Sequence, residues 1–251
     1  MIDGFQPTLG GKLRRELSRF ASRRPATASL ARPLASFSFD DVPLTAALAG
    51  AAVLEARGLR GTFYVCGGLA GASGAMGALA DHEHIRALAA RGHEIACHTY
   101  SHPDCGRLVA PAVDAELDRN AAALASWGLP APATFAYPFG EVSPAAKSRA
   151  ADRFALARSV RRGLVRGGSD LAQAPAVGLV GPQADRTARA WIEKARRADG
   201  WIIFYTHDVR DEPSAWGATP GALAASVDAA IAAGLEVVTV AEGARRMRAA
   251  A

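Results

Sequence analysis

Asp40 and Asp41 stand side by side, and His98 and His102 lie four residues apart in His98-Thr99-Tyr100-Ser101-His102. Two imidazoles at that spacing share one face of a helical turn and can bind one ion. Asp41 would add a hard oxygen ligand. Two histidines and a carboxylate leave positions open for water and a reactant, as a catalytic metal site requires. Zinc is the first choice, and the same set suits iron, cobalt, nickel or manganese. Asp40 would then face the reactant side. A buried Asp-Asp pair is costly unless a cation sits nearby. The competing reading is a capping pair ahead of Pro43, since Asp is a favoured cap. His207 ends an apolar run and is followed by Asp208. Histidine there is either a core residue or a general acid, because its unperturbed pKa lies near neutrality. His82, His84 and His93 read as loop or structural residues. Cys97 and Cys105 flank the histidine pair but read as small buried hydrophobes.

These residues need elements to bring them together. Short apolar runs alternate with Ala-rich helical stretches after Pro33. Strands are expected at Ala35 to Phe39, Thr62 to Val65, Glu94 to Ala96, Thr134 to Ala136, Leu156 to Val160, Val177 to Val180, Trp201 to Tyr205 and Glu236 to Val240. Helices are expected at Leu44 to Arg57, Glu83 to Arg91, Ala112 to Trp127, from Ser143-Pro144, at Asp185 to Ala198 and from Thr219-Pro220. Gly67 to Gly77 reads as a mobile connection or lid. Repeated strand–helix units imply parallel strands with right-handed crossovers. The expected fold is a single-domain α/β distorted (β/α) barrel of about seven parallel strands over residues 34–251. Asp40, Asp41, His98, His102, Tyr137 to Gly140 and His207 all follow strands, so they should meet on the C-terminal rim.

The net charge of +5 is concentrated. Lys12 to Arg24 holds six basic residues against Glu16, which accounts for the whole excess. The rest is balanced, so no nucleic-acid surface is expected. Leu13, Leu17 and Phe20 fall at helical spacing there. Residues 1–33 thus read as a basic N-terminal segment, with 12–24 either packed on the barrel or touching an anionic membrane surface. No signal peptide or membrane span is read, and the three cysteines lack a CxxC pair. Reduced thiols and a cytoplasmic location are the expectation.

Taken in order, the motifs resemble the polysaccharide deacetylase family, also called the NodB-homology or carbohydrate esterase family 4 group. Ser38-Phe39-Asp40-Asp41 is similar to its first motif, His98 to His102 after Gly92-His93-Glu94-Ile95 to its second, Ala136-Tyr137-Pro138-Phe139-Gly140 to its third, and Ile203 to His207 to its fifth. The resemblance implies Asp40 as catalytic base, Asp41, His98 and His102 as metal ligands, and His207 as catalytic acid. Tyr137, Pro138 and Phe139 would wall the substrate groove, and Trp216 is the best further contact to a sugar. Two departures stand out. The third motif usually starts with Arg, where this chain has Ala136; Arg158 on the following strand is the candidate replacement. The fourth motif has no clear match, and Asp170 is the candidate carboxylate to orient His207.

The implied activity is metal-dependent hydrolysis of the N-acetyl or other acyl amide of a sugar or glycoconjugate, with metal-activated water, Asp40 as base and His207 as acid. A cytoplasmic chain would meet a nucleotide-linked or lipid-linked saccharide. The alternatives are a non-catalytic sugar-binding relative and a metal-free amide or imide hydrolase on the same fold.

Overall fold

A computed structural model describes residues 17–248. Eight strands form one sheet. They are β1 Leu34–Asp40, β2 Thr62–Val65, β3 Glu94–Cys97, β4 Thr134–Ala136, β5 Leu156–Arg158, β6 Val177–Gly178, β7 Trp201–Thr206 and β8 Glu236–Val237. Seven run in the order β5-β4-β3-β2-β1-β7-β6, all parallel, and β8 pairs with the start of β1. A lone parallel bridge from Arg158 to Ala174, just ahead of β6, brings the two edges together. This is the expected distorted barrel.

The period of two along β1 sorts its side chains. Phe37 and Phe39 join the core under the helices, with Phe39 stacked on Phe63 at 4.7 Å. Ser36, Ser38 and Asp40 alternate with them, as strand geometry dictates. Ser36 accepts a hydrogen bond from Trp201 Nε1 at 2.9 Å. Tyr64, Ala96 and Ala136 pack together.

The helices are α1 Ala51–Glu55, α2 His82–Ala90, α3 Ala110–Ser126, α4 Pro144–Arg153, α5 Ala184–Arg197, α6 Pro220–Ala232 and α7 Val240–Arg246. A π-helical turn, Ala46–Gly50, precedes α1. Asp81, Ser143 and Thr219 cap α2, α4 and α6 through their side chains, as their short polar groups allow. Several expectations change. β5 and β6 end at Arg158 and Gly178, short of Val160 and Val180. The last strand stops at Val237, because Thr239 caps α7. The N–H groups of Val240 and Ala241 then bond Thr62 Oγ1 and Glu94 Oε2, at 2.9 and 2.8 Å, at the strands' N-terminal ends. The Gly-rich stretch is also less open than expected: Ser73–Gly74 and Gly77–Ala78 pair as a small antiparallel hairpin.

Lys12 to Glu16 lie outside the described residues. The remainder of the basic segment lies along the barrel rather than forming a body of its own. Ser18 donates to the Val142 carbonyl at 3.1 Å, and Arg24 N–H donates to Asp170 at 2.9 Å. Leu17 and Phe20 stay exposed, at 58% and 80%. No described helix is long and apolar enough to cross a membrane.

Candidate metal and hydrolytic site

The chain leaves β1 through a tight left-handed turn. Asp41 and Val42 have φ of 58° and 50°, a region that non-glycine residues occupy at a cost. The two carboxylates consequently diverge. Asp41 meets the histidines: its Oδ1 lies 3.7 Å from His98 Nε2 and 3.4 Å from His102 Nε2. One ligand atom from each of the three residues fits within 4.8 Å of the others. Asp40 instead meets Arg158, whose Nη2 lies 2.5 and 2.6 Å from its two oxygens.

The histidine pair forms differently from the sequence expectation. Residues 98–102 make a bend and not a helical turn. Thr99 and His102 take φ of 66° and 57°, and the two imidazole centroids end 4.9 Å apart. Side chains outside the motif hold this bend. Glu116 on α3 accepts from the N–H groups of Tyr100 and Ser101 at 3.0 and 2.8 Å, and from the Ser101 hydroxyl at 2.9 Å. Thr99 Oγ1 accepts the His102 N–H at 3.1 Å, and Cys66 Sγ donates to the His98 carbonyl at 2.9 Å. Glu116 gave no sequence signal, since an acid on a long helix reads as a solvated side chain.

The donor set fits a divalent cation. His98 Nδ1 donates to the Ala136 carbonyl at 2.8 Å, which leaves the Nε2 lone pair toward Asp41. Burial lowers the His98 and His102 pKa values to about 3 and about 4, so both rings are neutral ligands. Burial pushes Asp41 up to about 6, and the neighbouring Asp40 adds to the rise. A cation between these groups relieves that strain on the Asp41 carboxylate. For Asp40, burial also acts upward, but the charge and hydrogen bonds of Arg158 oppose it, and the carboxylate's pKa lies below its ordinary value.

Arg158 occupies the place left by Ala136. The two are register partners on β4 and β5. Ala136 shares a buried cluster with Tyr64, and Arg158 lies over Tyr64 and Tyr205, 5.0 and 4.8 Å from their centroids.

The remaining expected residues separate. His207 is half-buried and lies within electrostatic reach of both aspartates. Its orienting partner is a backbone group: the Trp216 carbonyl lies 3.2 Å from Nδ1 and also accepts the His207 N–H. Asp170 does not orient it. One Asp170 oxygen accepts the N–H groups of Arg24 and Ala172, and the other lies 2.6 Å from Lys147 Nζ. Asp208 is likewise spent on Ser214 and Arg210. Trp216 is 45% exposed beside His207 and remains a fit substrate contact. Phe139, half-buried with φ of 58°, sets its ring 4.5 Å from His102. Pro138 and Tyr137 are buried, and the Tyr137 hydroxyl donates to the Ala172 carbonyl at 2.8 Å. The Tyr137 N–H is also taken, by the Arg158 carbonyl. Tyr137 and Pro138 therefore brace the wall from behind and do not line it.

The chain is similar to a chitin deacetylase from the fungal pathogen Colletotrichum lindemuthianum, with 18% identity, 91% of this chain and 94% of the other covered, and a TM-score of 0.64. A putative polysaccharide deacetylase from Mycobacterium smegmatis aligns at 20% identity over 90% and 96%, with a TM-score of 0.69. A family 4 acetyl xylan esterase from Clostridium thermocellum, in complex with a cobalt ion, aligns at 23% identity over 83% and 89%, with a TM-score of 0.60. Among curated protein sequences none matches. These likenesses carry the fold. The sequence profile described as polysaccharide deacetylase matches residues 28–153, half of the chain, and takes in both aspartates, both histidines and Ala136 to Gly140. The protein belongs to the polysaccharide deacetylase family.

Proposed function

We propose that the chain is a metal-dependent deacetylase acting on the N-acetyl or other acyl amide of a sugar or glycoconjugate. Asp41, His98 and His102 would hold the metal, with zinc the first choice. Asp40 is the base and His207 the acid. One observation carries this reading: Asp40, beside the Asp-His-His cluster, is kept ionised by an arginine even though its family position for that arginine is Ala136. A binding module has no need of a buried carboxylate poised to accept a proton.

Bound there, a divalent ion would supply Lewis acidity and bring the pKa of a water toward about 7. The protein's own groups do the rest. Asp40 accepts a proton as the nucleophile attacks the acyl carbon. Arg158 keeps Asp40 aimed and charged. His207, fixed by the Trp216 carbonyl, delivers a proton to the leaving nitrogen when doubly protonated. The Trp216 ring, exposed on the same loop, offers a flat apolar face to a sugar. The products are the free carboxylic acid and an amino sugar. The proposed substrate is a nucleotide-linked or lipid-linked saccharide, the kind of acylated sugar that a cytoplasmic chain would meet.

Elemental analysis of the purified protein, then acetate release from N-acetylated sugars with metal stripped and restored, tests the proposal. Release that survives stripping would favour the metal-free hydrolase. Bound metal with no release from any acylated sugar would favour the non-catalytic relative.

A further inference from the structure

Arg158 starts on β5 and ends on Asp40 of β1, with β4, β3 and β2 between them in the sheet. A guanidinium makes that crossing only through the barrel interior. The residues it passes are small. Ala96 is the register partner of Tyr64, Ala136 is that of Arg158 itself, and both alanines are buried. Register partners share a face of the sheet, so the interior is open at this level.

Hydrogen bonds hold only one end of the group. Nη2 makes both contacts to Asp40, at 2.5 and 2.6 Å. Nη1 has the Ser159 carbonyl at 3.5 Å, and Nε finds no partner among the described residues. The two-nitrogen fork that fixes an arginine on a carboxylate is therefore not formed. Contacts through a single nitrogen leave the guanidinium plane free to turn about it.

Aromatic rings supply the missing constraint. Tyr64 stands on β2 and Tyr205 on β7, the two strands that flank β1. Tyr64 is the register partner of Asp40, and Tyr205 is that of Ser38, which shares the Asp40 face. The guanidinium carbon lies 5.0 Å from one ring centroid and 4.8 Å from the other. Both distances fall within the range of about 6 Å at which a ring face attracts a cation, and the attraction grows where water is excluded. Arg158 and Tyr64 are fully buried. The Tyr64 hydroxyl has no hydrogen-bond partner among the described residues, so the contact this tyrosine offers Arg158 is its ring. On the other side, β6 leaves room for the Tyr205 ring. A Cβ added at Gly178, the register partner of Tyr205, would stand 3.2 Å from the phenol oxygen.

We propose that Tyr64 and Tyr205 are positioning residues, whose rings bracket the Arg158 guanidinium and fix the plane from which it aims the Asp40 carboxylate. They act through Arg158 rather than on the reacting atoms. The bracket is what allows an arginine arriving from β5 to serve in the place that Ala136 leaves empty. Its effect on rate rests on the deacetylase reading; the bracket itself does not.

Two readouts on the full chain test it. The first is the nitrogen–proton NMR signal of the Arg158 Nε–H, assigned by its loss in Arg158→Lys. Ring faces displace such a signal from the position of exposed arginines. Tyr64→Leu and Tyr205→Leu should move it back toward that position, whereas Tyr64→Phe and Tyr205→Phe should keep it displaced. The second readout is the split of kcat from KM, with metal restored, for acetate release from N-acetylated chitooligosaccharide and from para-nitrophenyl acetate. The leucine variants should lose about 10–100-fold in kcat, as a misplaced catalytic group does, while KM changes by less than about twofold. The phenylalanine variants should recover most of the rate. A tyrosine that only supports the fold would lower the melting temperature without splitting kcat from KM. Gly178→Ala is the second probe should a leucine variant fail to fold. Its added methyl presses on the Tyr205 ring without removing it, so both readouts should move in the same direction but less far. An Arg158 signal that stays in place in the leucine variants, or phenylalanine variants as impaired as the leucine ones, would overturn the inference. Absence of acetate release from the unaltered chain would count against the deacetylase reading instead, and the Arg158 signal would still decide the bracket.

Discussion

Arg158 reaches from β5 to Asp40 on β1 and meets both carboxylate oxygens through one nitrogen, at 2.5 and 2.6 Å. Both side chains are almost fully buried. The pair sets the charge of the proposed base and fixes its direction.

Removing the arginine should therefore do two things. Arg158→Met leaves a buried carboxylate without its partner, and breaking a buried pair in that way costs about 3–5 kcal/mol. Chemical denaturation would show the loss, and acetate release should fall with it. Arg158→Lys keeps the charge but not the planar contact with Tyr64 and Tyr205, so it should recover stability better than rate. A variant at Arg158 with unchanged rate would separate this pair from catalysis.

The two aspartates should have opposite signatures. Asp40→Asn should keep the metal and lose about 10²–10⁴ in rate, the usual contribution of a general base. Asp41→Ala or His98→Ala should lose the metal itself. Metal content and acetate release, measured on the same preparations, distinguish them. Full activity in Asp40→Asn would remove the base assignment.

Glu116 never approaches the ligand atoms, yet it anchors the bend between His98 and His102. Glu116→Ala should weaken metal affinity by about 10–100-fold, as the loss of groups that orient ligands does. Competition with a chelator reads this directly. The melting temperature of the metal-free protein should move little, because Glu116 is only partly buried on α3.

The metal-free protein should gain stability as pH rises from about 4 to about 6.5. Unfolded, His98 and His102 hold protons below their ordinary pKa near 6.5, and Asp41 gives its proton up near 3.9. Folded, burial lowers the histidines to about 3 and about 4 and raises Asp41 to about 6. In this window the unfolded chain carries two protons on the histidines, while the folded chain carries one, on Asp41. The histidines' contribution is lost as pH falls through the window. Asp41 works the other way, losing its contribution as pH rises toward 6. The histidines prevail, by about 1.4 kcal/mol per pH unit for one net proton. Melts across pH in chelator check the slope, and a falling slope would contradict it.

The barrel and the polar residues gathered on its rim were legible in the sequence because both rest on local patterns. The alternation of Phe37 and Phe39 with Ser38 and Asp40 fixes which face of β1 meets the helices. The parallel order of strands then gathers Asp40, Asp41, His98, His102 and His207 on one rim. Four features needed the tertiary structure. Thr239 ends β8 and opens α7, a choice settled by backbone N–H groups finding Thr62 and Glu94 from distant strands. Residues 98–102 form a strained bend, since Glu116 and Thr99 secure what helical periodicity alone would not. Asp170, Asp208 and Tyr137 hold polar groups that suggested site roles, but nearer partners claimed each of them. The arginine on Asp40 also belongs to this set. The sequence determined that Ala136 cannot supply it and offered Arg158 as a candidate. Only the register of β4 against β5, and the distance a guanidinium spans across a barrel, decided that the charge still reaches its carboxylate.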